Sequence, residues 1–261
     1  MTLNELIVNV ESIYPFNLSE KWDNGGYQVS DRNMTVNRIL LTIDLTEKVI
    51  EKCIEKEVDL IISHHPFIFD PILKIDVTET KGKMIRSLIM NQINCVSFHT
   101  NFDQAHHGMN WAISQQLNLE GFSVLVPNDN DPKYGFGGIG VIEKEIDLHS
   151  FINFLKAQFN LEGIRVYNGQ KKRIHRIAFC GGAGADFIGN AADKGADVYI
   201  TGDLGHHDGQ KAYENDIILI DATHYGLEWV FLPLMEKKLK TINSDLEVFT
   251  YDRNDYAFEN Y

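Results

Sequence analysis

Nowhere in this 261-residue chain does an apolar run approach the roughly 18 residues that a membrane-spanning helix needs. The opening stretch, Met1 to Leu18, carries Glu5 and Glu11 where a signal peptide has an uncharged core, and the expectation is a soluble, cytoplasmic protein. Cysteine is scarce. Cys53, Cys95 and Cys180 are odd in number, widely spaced and set in apolar stretches, which disfavours a disulfide framework or a thiolate metal site and predicts reduced core thiols. Basic charge is also short, 24 Lys and Arg against 37 Asp and Glu for a net charge of −13. Phosphate binding rests on a basic stripe, so this balance argues against nucleic acid as the main partner. The densest basic cluster, Lys171, Lys172, Arg173 and Arg176 around His175, reads equally as a solvated strand entrance or a local phosphate site. Low-complexity tracts and fixed-period repeats are missing too. What is present, 44% hydrophobic and 23% charged residues, is a globular composition sufficient for one large or two modest domains.

Leu3, Leu6, Ile7, Val10 and Ile13 repeat at helical spacing until Pro15, so the chain opens with an amphipathic helix. Apolar runs then alternate with amphipathic stretches: strand 39–43, helix 47–57, strand 58–62, a helix marked by Met84, Ile85, Leu88 and Ile89, and strand 93–98. Strands apolar on both faces and separated by helices imply an α/β fold with a largely parallel sheet. Pro127 to Pro132 is polar, proline-bounded and without periodicity, and is the expected domain junction. The expected domains are therefore residues 1–127 and 128–261, with the last helix and strand able to pack back on the first. In the second half, strands are expected at 136–142, 164–167, 174–179, 198–201, 217–220 and 246–250, with helices from Asp147 and over 225–239.

Histidine is the loudest signal: six of the ten fall in the pairs His64-His65, His106-His107 and His206-His207. The first pair follows Leu60 to Ser63, where a buried strand runs out onto the rim at which open α/β sheets place ligands, and Pro66 forces a turn there. A second strand exit gives His99 and, four residues on, Asp103, a carboxylate able to bridge two cations or simply to cap the helix that follows. A third gives His224 and Glu228, spaced to share one face of a helix start. Each is weak alone. Together, His64, His65, Asp103, His224 and Glu228 fit two divalent ions with positions left for water, and a set without thiolate accommodates Zn, Fe, Mn, Co or Ni. Thr201 to Asp208, with Asp203, His206 and His207, ends another strand and reads either as outer partners of such a site or as a polar loop. The glycine turn Gly181 to Gly184 with Asp203 beyond it imitates a dinucleotide fingerprint, but Phe187 stands where the third glycine belongs and no phosphate-loop lysine is present. The turn reads better as a close approach of backbone to a substrate or a helix.

These residues resemble a known family, the dinuclear-metal proteins described as Ngg-interacting-factor-three-like and often labelled homologues of GTP cyclohydrolase I type 2. The resemblance runs along nearly the whole chain, through Trp22-Asp23-Asn24 with Gly26, Leu41 to Thr46, Ile61 to Pro66, His99-Thr100-Asn101 with Asp103, Cys180-Gly181-Gly182, Thr201-Gly202-Asp203 with His206-His207-Asp208, and His224-Tyr225 with Glu228. It implies a two-lobed protomer, each lobe a mixed, mainly parallel sheet flanked by helices, with the metal pair between the lobes and a ring-shaped homohexamer. Its metal positions fall on His64, His65, Asp103, His224 and Glu228. Some members insert a further domain between the lobes, for which this chain is too short. Gly25, Tyr27, Phe102, His106 and His107 depart from the family pattern; none replaces a ligand, and Tyr27, His106 and His107 are placed to alter the pocket.

Two functions remain open from the sequence, with nucleic-acid binding through the ring a weaker third. One is a metal-dependent hydrolase acting on a ring carbon, amide or phosphoester of a nucleotide- or pterin-like small molecule, with His99, His207 or Asp44 moving the proton. The other is a non-catalytic metal-holding ring for storage, delivery or scaffolding.

Overall fold

Apolar side chains three and four apart from Leu3 to Val10 make one buried stripe, and the chain there forms α1 (Leu3–Glu11). Thr2 and Glu5 close a reciprocal capping box at its start, which satisfies two of the helix's orphan N–H groups. The computed structural model describes residues 1–169 and 173–255, so Lys171 and Lys172 of the basic cluster lie outside the described residues. Among the described residues the chain divides into two units, one of Met1–Phe102 together with residues 231–255, the other of Asp103–Val230.

In the first unit β1 (Gly26–Val29), β2 (Arg38–Thr42), α2 (Glu47–Glu55), β3 (Leu60–Ser63), α3 (Thr80–Met90) and β4 (Asn94–Ser97) follow one another, and α4 (Thr100–Gln104) begins at its end. The returning chain adds α10 (Phe231–Ile242) and β11 (Glu247–Tyr251). The sheet order is β1-β4-β3-β2-β11, parallel throughout except for β1 against β4. Every residue of β3 and β4 is buried, as a strand covered on both faces requires. Val49, Ile50 and Cys53 of α2 and Met84, Ile85 and Leu88 of α3 pack on Leu40, Ile61 and Cys95, while α1 and α10 pack on each other. Removing one of these side chains, as in Ile61→Ala, costs about 2–5 kcal/mol in transfer and cavity terms.

The second unit holds α5 (Met109–Gln116), β5 (Glu120–Pro127), β6 (Gly135–Asp147), α6 (Leu148–Phe159), β7 (Arg165–Tyr167), β8 (Arg173–Ala183), α7 (Ile188–Asp193), β9 (Val198–Gly202), α8 (His206–Glu214), β10 (Ile218–Asp221) and α9 (His224–Glu228). Its sheet order is β5-β6-β8-β9-β10-β7. Only β8 with β9 and β9 with β10 run parallel and the other three pairings are antiparallel, so this sheet is mixed, as expected, but not mainly parallel. The polar stretch after Pro127 accounts for one of the three: it closes a hairpin, with Pro127 opposite Gly135, and a hairpin fixes its strands antiparallel. The expected junction at 127/128 thus falls inside a hairpin, and the division lies within α4 and between α9 and α10. The helix expected over 225–239 is two, α9 and α10, with Trp229 and Val230 between them.

Among the described residues no helix is long and apolar enough to cross a membrane. Cys53, Cys95 and Cys180 are free and buried. Burial pushes all three thiols up, Cys95 to about 12, which keeps them protonated and inert at neutral pH.

Candidate metal centre

In the first unit the chain leaves β3 still paired: the N–H of His64 donates to Thr42 O at 3.1 Å and that of His65 to Ile43 O at 3.0 Å. Ser63 Oγ and Ser97 Oγ both donate to the carbonyl of His65, at 2.8 and 3.2 Å, and hold the turn that follows. Both imidazoles are therefore fixed at a strand exit. His64 is fully buried and its Nδ1 donates to Phe98 O at 2.8 Å. A carbonyl oxygen only accepts, so Nδ1 carries the hydrogen and Nε2 carries the lone pair a metal uses. His65 Nδ1 meets Asp44 Oδ1 at 2.8 Å, and His99 Nδ1 meets Asp23 Oδ1 at 2.8 Å. The three rings stand 5.0 to 5.5 Å apart, and one ligand atom from each lies within 4.8 Å of the others.

The Asp23 side chain is wholly shielded from solvent. Its second oxygen accepts from Thr100 N at 3.1 Å and Thr100 Oγ1 at 2.5 Å. Burial on its own raises the Asp23 carboxyl, but the hydrogen bonds from His99 and Thr100 and the charge of His99 outweigh it, and the net direction is down. Thr100 Oγ1 also accepts from Glu20 N at 3.0 Å, and Asn101 Nδ2 donates to Tyr14 O at 2.8 Å. The His99-Thr100-Asn101 run is thus tied residue by residue to the chain between α1 and β1.

In the second unit α9 carries His224 and Glu228 one turn apart. His224 Nδ1 meets Asp203 Oδ2 at 2.7 Å, and its Nε2 lies 3.1 Å from Glu228 Oε1. Glu228 has only 5% of its side chain exposed, and a carboxylate so deeply buried requires positive charge beside it. A protonated His224 bridging two carboxylates meets that need. So does a cation: ligands about 2.0–2.1 Å from one metal stand roughly 2.9–3.4 Å from each other, which brackets the observed separation. On that test the donor set fits a divalent metal.

Glycine makes room for this pair. Gly182 has φ +64°, and a Cβ there would stand 2.5 Å from Glu228 Oε1 and 3.3 Å from His224 Nε2. A Cβ on Gly202 would stand 2.4 Å from the backbone nitrogen of His224. The glycine turn that imitates a dinucleotide fingerprint is the continuation of β8, approached closely by α9. Asp103 stands on α4, its carbonyl accepting from Asn110 Nδ2 at 2.7 Å. The Cys180 thiol is pushed up first by burial and then by the nearby carboxylates of Asp103 and Glu228, which places both acids around one point of the second unit.

The remaining sequence candidates fall as follows. His99 joins His64 and His65, and Asp44 serves as the acceptor for His65. His207 is exposed in the first turn of α8, its ring 5.3 Å from that of His206. Asp203, open from sequence between outer partner and polar loop, is the acceptor for His224. The sequence marks Asp23 only as the middle residue of Trp22-Asp23-Asn24, and nothing there assigns it to His99. Tyr27 lies in β1 under the Arg32 guanidinium, 4.1 Å from the ring centroid, and His106 and His107 are exposed before α5.

Comparison with known proteins agrees in both sequence and fold. The profile of the family described as Duf34/NIF3 (NGG1p interacting factor 3) matches residues 1–256. A Clostridium acetobutylicum protein named GTP cyclohydrolase 1 type 2 homolog is 35% identical over 241 residues, covering 92% of this chain and 90% of its own. A Clostridium perfringens protein of the same name is 34% identical over 248 residues, with 95% of each chain covered. The crystal structure of a Bacillus cereus protein related to NIF3 superposes with a TM-score of 0.93 at 23% identity, over 100% of this chain and 99% of the other.

Proposed function

This chain belongs to the Duf34/NIF3 family, and from that premise we propose that it is a dinuclear, divalent-metal-dependent hydrolase acting on a nucleotide- or pterin-like small molecule. The observation that carries the reading is the common orientation of four imidazoles. His64, His65, His99 and His224 each have Nδ1 held by a carbonyl or carboxylate oxygen. This is the outer arrangement that fixes the tautomer of metal-binding histidines and presents Nε2. The name shared by the Clostridium relatives supports a hydrolytic reaction on a ring carbon.

In the proposal His64, His65, Asp103, His224 and Glu228 hold the ions, Zn, Fe, Mn, Co or Ni, and the chain assembles as a homohexamer. When bound, the cations supply Lewis acidity, which acidifies water and polarises the electrophile. Asp44 and Asp203 orient His65 and His224. His99, held by Asp23 beside His64 and His65, is the residue assigned to proton transfer. His207 is exposed on α8, and Asp44 is engaged with His65, so neither matches His99 for that role.

Elemental analysis of purified protein tests the reading. Two divalent ions per chain are expected, lost in Asp103→Ala and Glu228→Ala together with turnover of a nucleotide, pterin, phosphoester and amide panel. A wild-type chain that takes up no divalent metal overturns it. Two bound ions with no turnover on any member of the panel, and rapid transfer to an apo-acceptor, identify a storage or delivery protein instead.

A further inference from the structure

Two large aromatic side chains of the first unit stand in water beside the histidine group. Trp22 is 60% exposed and Phe69 49%. Single exposed apolar side chains are ordinary, but these two are paired, with ring centroids 6.1 Å apart at 49°. Each also meets the ring of His99 nearly edge-on, Trp22 at 6.1 Å and 75°, Phe69 at 6.4 Å and 76°. His99 in turn stands 5.3 and 5.5 Å from His64 and His65. We propose that Trp22 and Phe69 are a specificity wall that stacks the planar heteroaromatic ring of the substrate and delivers its reacting atom to the histidine cluster.

The wall is built rather than fortuitous. Trp22 and Phe69 come from loops 47 positions apart in sequence, and the loops are stitched by polar bonds. Asn24 Nδ2 donates to Ile68 O at 2.6 Å, Ile68 N donates to Gln28 Oε1 at 2.9 Å, and Gln28 Nε2 donates to Asn24 O at 2.6 Å. On the other side of Trp22, Asp23 is anchored by His99 and Thr100. A planar π surface held in place before the ligand arrives loses little ordering entropy on binding, and a flat heteroaromatic ring is the partner that uses both its polarisability and its shape. A sugar meets an aromatic face only through its C–H groups and an alkyl chain is not flat, so each uses less of that surface. Exposed Leu73, Ile75 and Val77, farther along the loop of Phe69, are aliphatic and have the character of a protein contact; Trp22 and Phe69 differ from them in touching an imidazole of the cluster.

This inference rests on the proposed function, and the experiment separates the two. The full chain loaded with Zn is titrated calorimetrically with guanosine 5′-monophosphate, with pterin, and with ribose 5-phosphate as a probe lacking the flat ring; metal content and mass by light scattering are measured in parallel. At least one ring-bearing probe is expected to bind tenfold or more tightly than ribose 5-phosphate. Trp22→Ala is expected to weaken that binding roughly ten- to a hundredfold, as loss of a stacking partner does. Trp22→Phe restores most of it, and ribose 5-phosphate binding and metal content stay unchanged in both variants. Ring-bearing probes that bind no better than ribose 5-phosphate overturn the wall, as does a Trp22→Ala variant with unaltered affinity. A variant whose mass changes while its ligand affinity does not shows that the aromatic pair covers a second copy, and likewise overturns it. Loss of metal from the wild type sinks the hydrolase reading alone, since ring stacking is measured equally on metal-free protein.

Discussion

A histidine becomes a ligand through its other nitrogen. The Asp44 and Asp203 carboxylates, each within 2.8 Å of an imidazole Nδ1, hold His65 and His224 in the tautomer that leaves the Nε2 lone pair outward. Asp44→Asn and Asp203→Asn keep the shape and remove the charge. Each is expected to lower metal affinity about 10–100-fold, read by competition with a chelator, while leaving thermal stability of the metal-free protein nearly unchanged. Equal affinity in wild type and both variants would mean that these contacts are surface hydrogen bonds only. The sequence offered Asp203 as an outer partner only beside the reading of a polar loop, and it offered Asp44 for proton transfer rather than for orienting His65. Asp44 precedes His65 by 21 residues and Asp203 precedes His224 by 21, so the chain must fold before either pair meets. Sequence shows which residue types stand at a strand exit, and it was enough to single out His64, His65, His99 and His224; it does not show which way a ring turns.

Elements position these residues at some cost to the backbone. Thr223, which caps α9, has φ +63° and ψ 151°, a region that non-glycine residues occupy at about 1–3 kcal/mol. Its conformation is fixed by its N–H to Asp221 Oδ1 at 3.0 Å and by Gly226 N donating to its Oγ1 at 3.0 Å. Thr223→Gly relieves the strain and sacrifices only a few tenths of a kcal/mol of capping, so the protein is expected to gain about 1 kcal/mol in urea unfolding and to bind metal more weakly as His224 loosens. Thr223→Ala keeps the strain, loses the cap, and is expected to lose about 1 kcal/mol. Elsewhere, Asp255 anchors the chain after β11 to the start of α2, accepting from Thr46 Oγ1 at 2.8 Å and meeting Lys48 Nζ at 3.1 Å and Tyr251 OH at 3.1 Å. Burial raises its carboxyl, but the bonds from Thr46, Lys48 and Tyr251 more than reverse that, and its pKa is lowered. A depressed folded value means the stabilisation is complete above the unfolded pKa near 3.9 and is lost as pH falls through the folded one. Asp255→Asn is therefore expected to cost about 1–2 kcal/mol at neutral pH, with the gap to wild type closing only in strong acid. Most of that belongs to Thr46 and Tyr251, because Lys48 is 67% exposed and an ion pair so solvated is worth little. A gap that does not change with pH would assign the loss to packing. Periodicity announced β2, β3, β4 and the helices between them because local contacts decide those. It missed β1 and the antiparallel β6–β8 pairing, which depend on partners distant in sequence, and it missed β5, whose partner β6 lies just across the hairpin after Pro127.

At the scale of the whole chain the candidate ligands come from both units: His64 and His65 from one, Asp103, His224 and Glu228 from the other. A polypeptide with two independent sites and one with a shared pair of ions differ in stoichiometry. If each unit bound its own metal, His64→Ala would remove one equivalent and leave the other, and Glu228→Ala would do the converse. If the five side chains hold the ions as one set, as proposed, either substitution is expected to lower the content from two equivalents to less than one. The metal then also contributes to stability through mass action, about 4 kcal/mol when free metal is a thousand times its dissociation constant. Chelation should lower the melting temperature of wild type accordingly. In His64→Ala and Glu228→Ala the melting temperature should no longer respond to added metal, whichever unit carries the change. A variant that retains one full equivalent, and half of the metal-dependent stabilisation, would show two separate sites and remove the shared centre from the proposal.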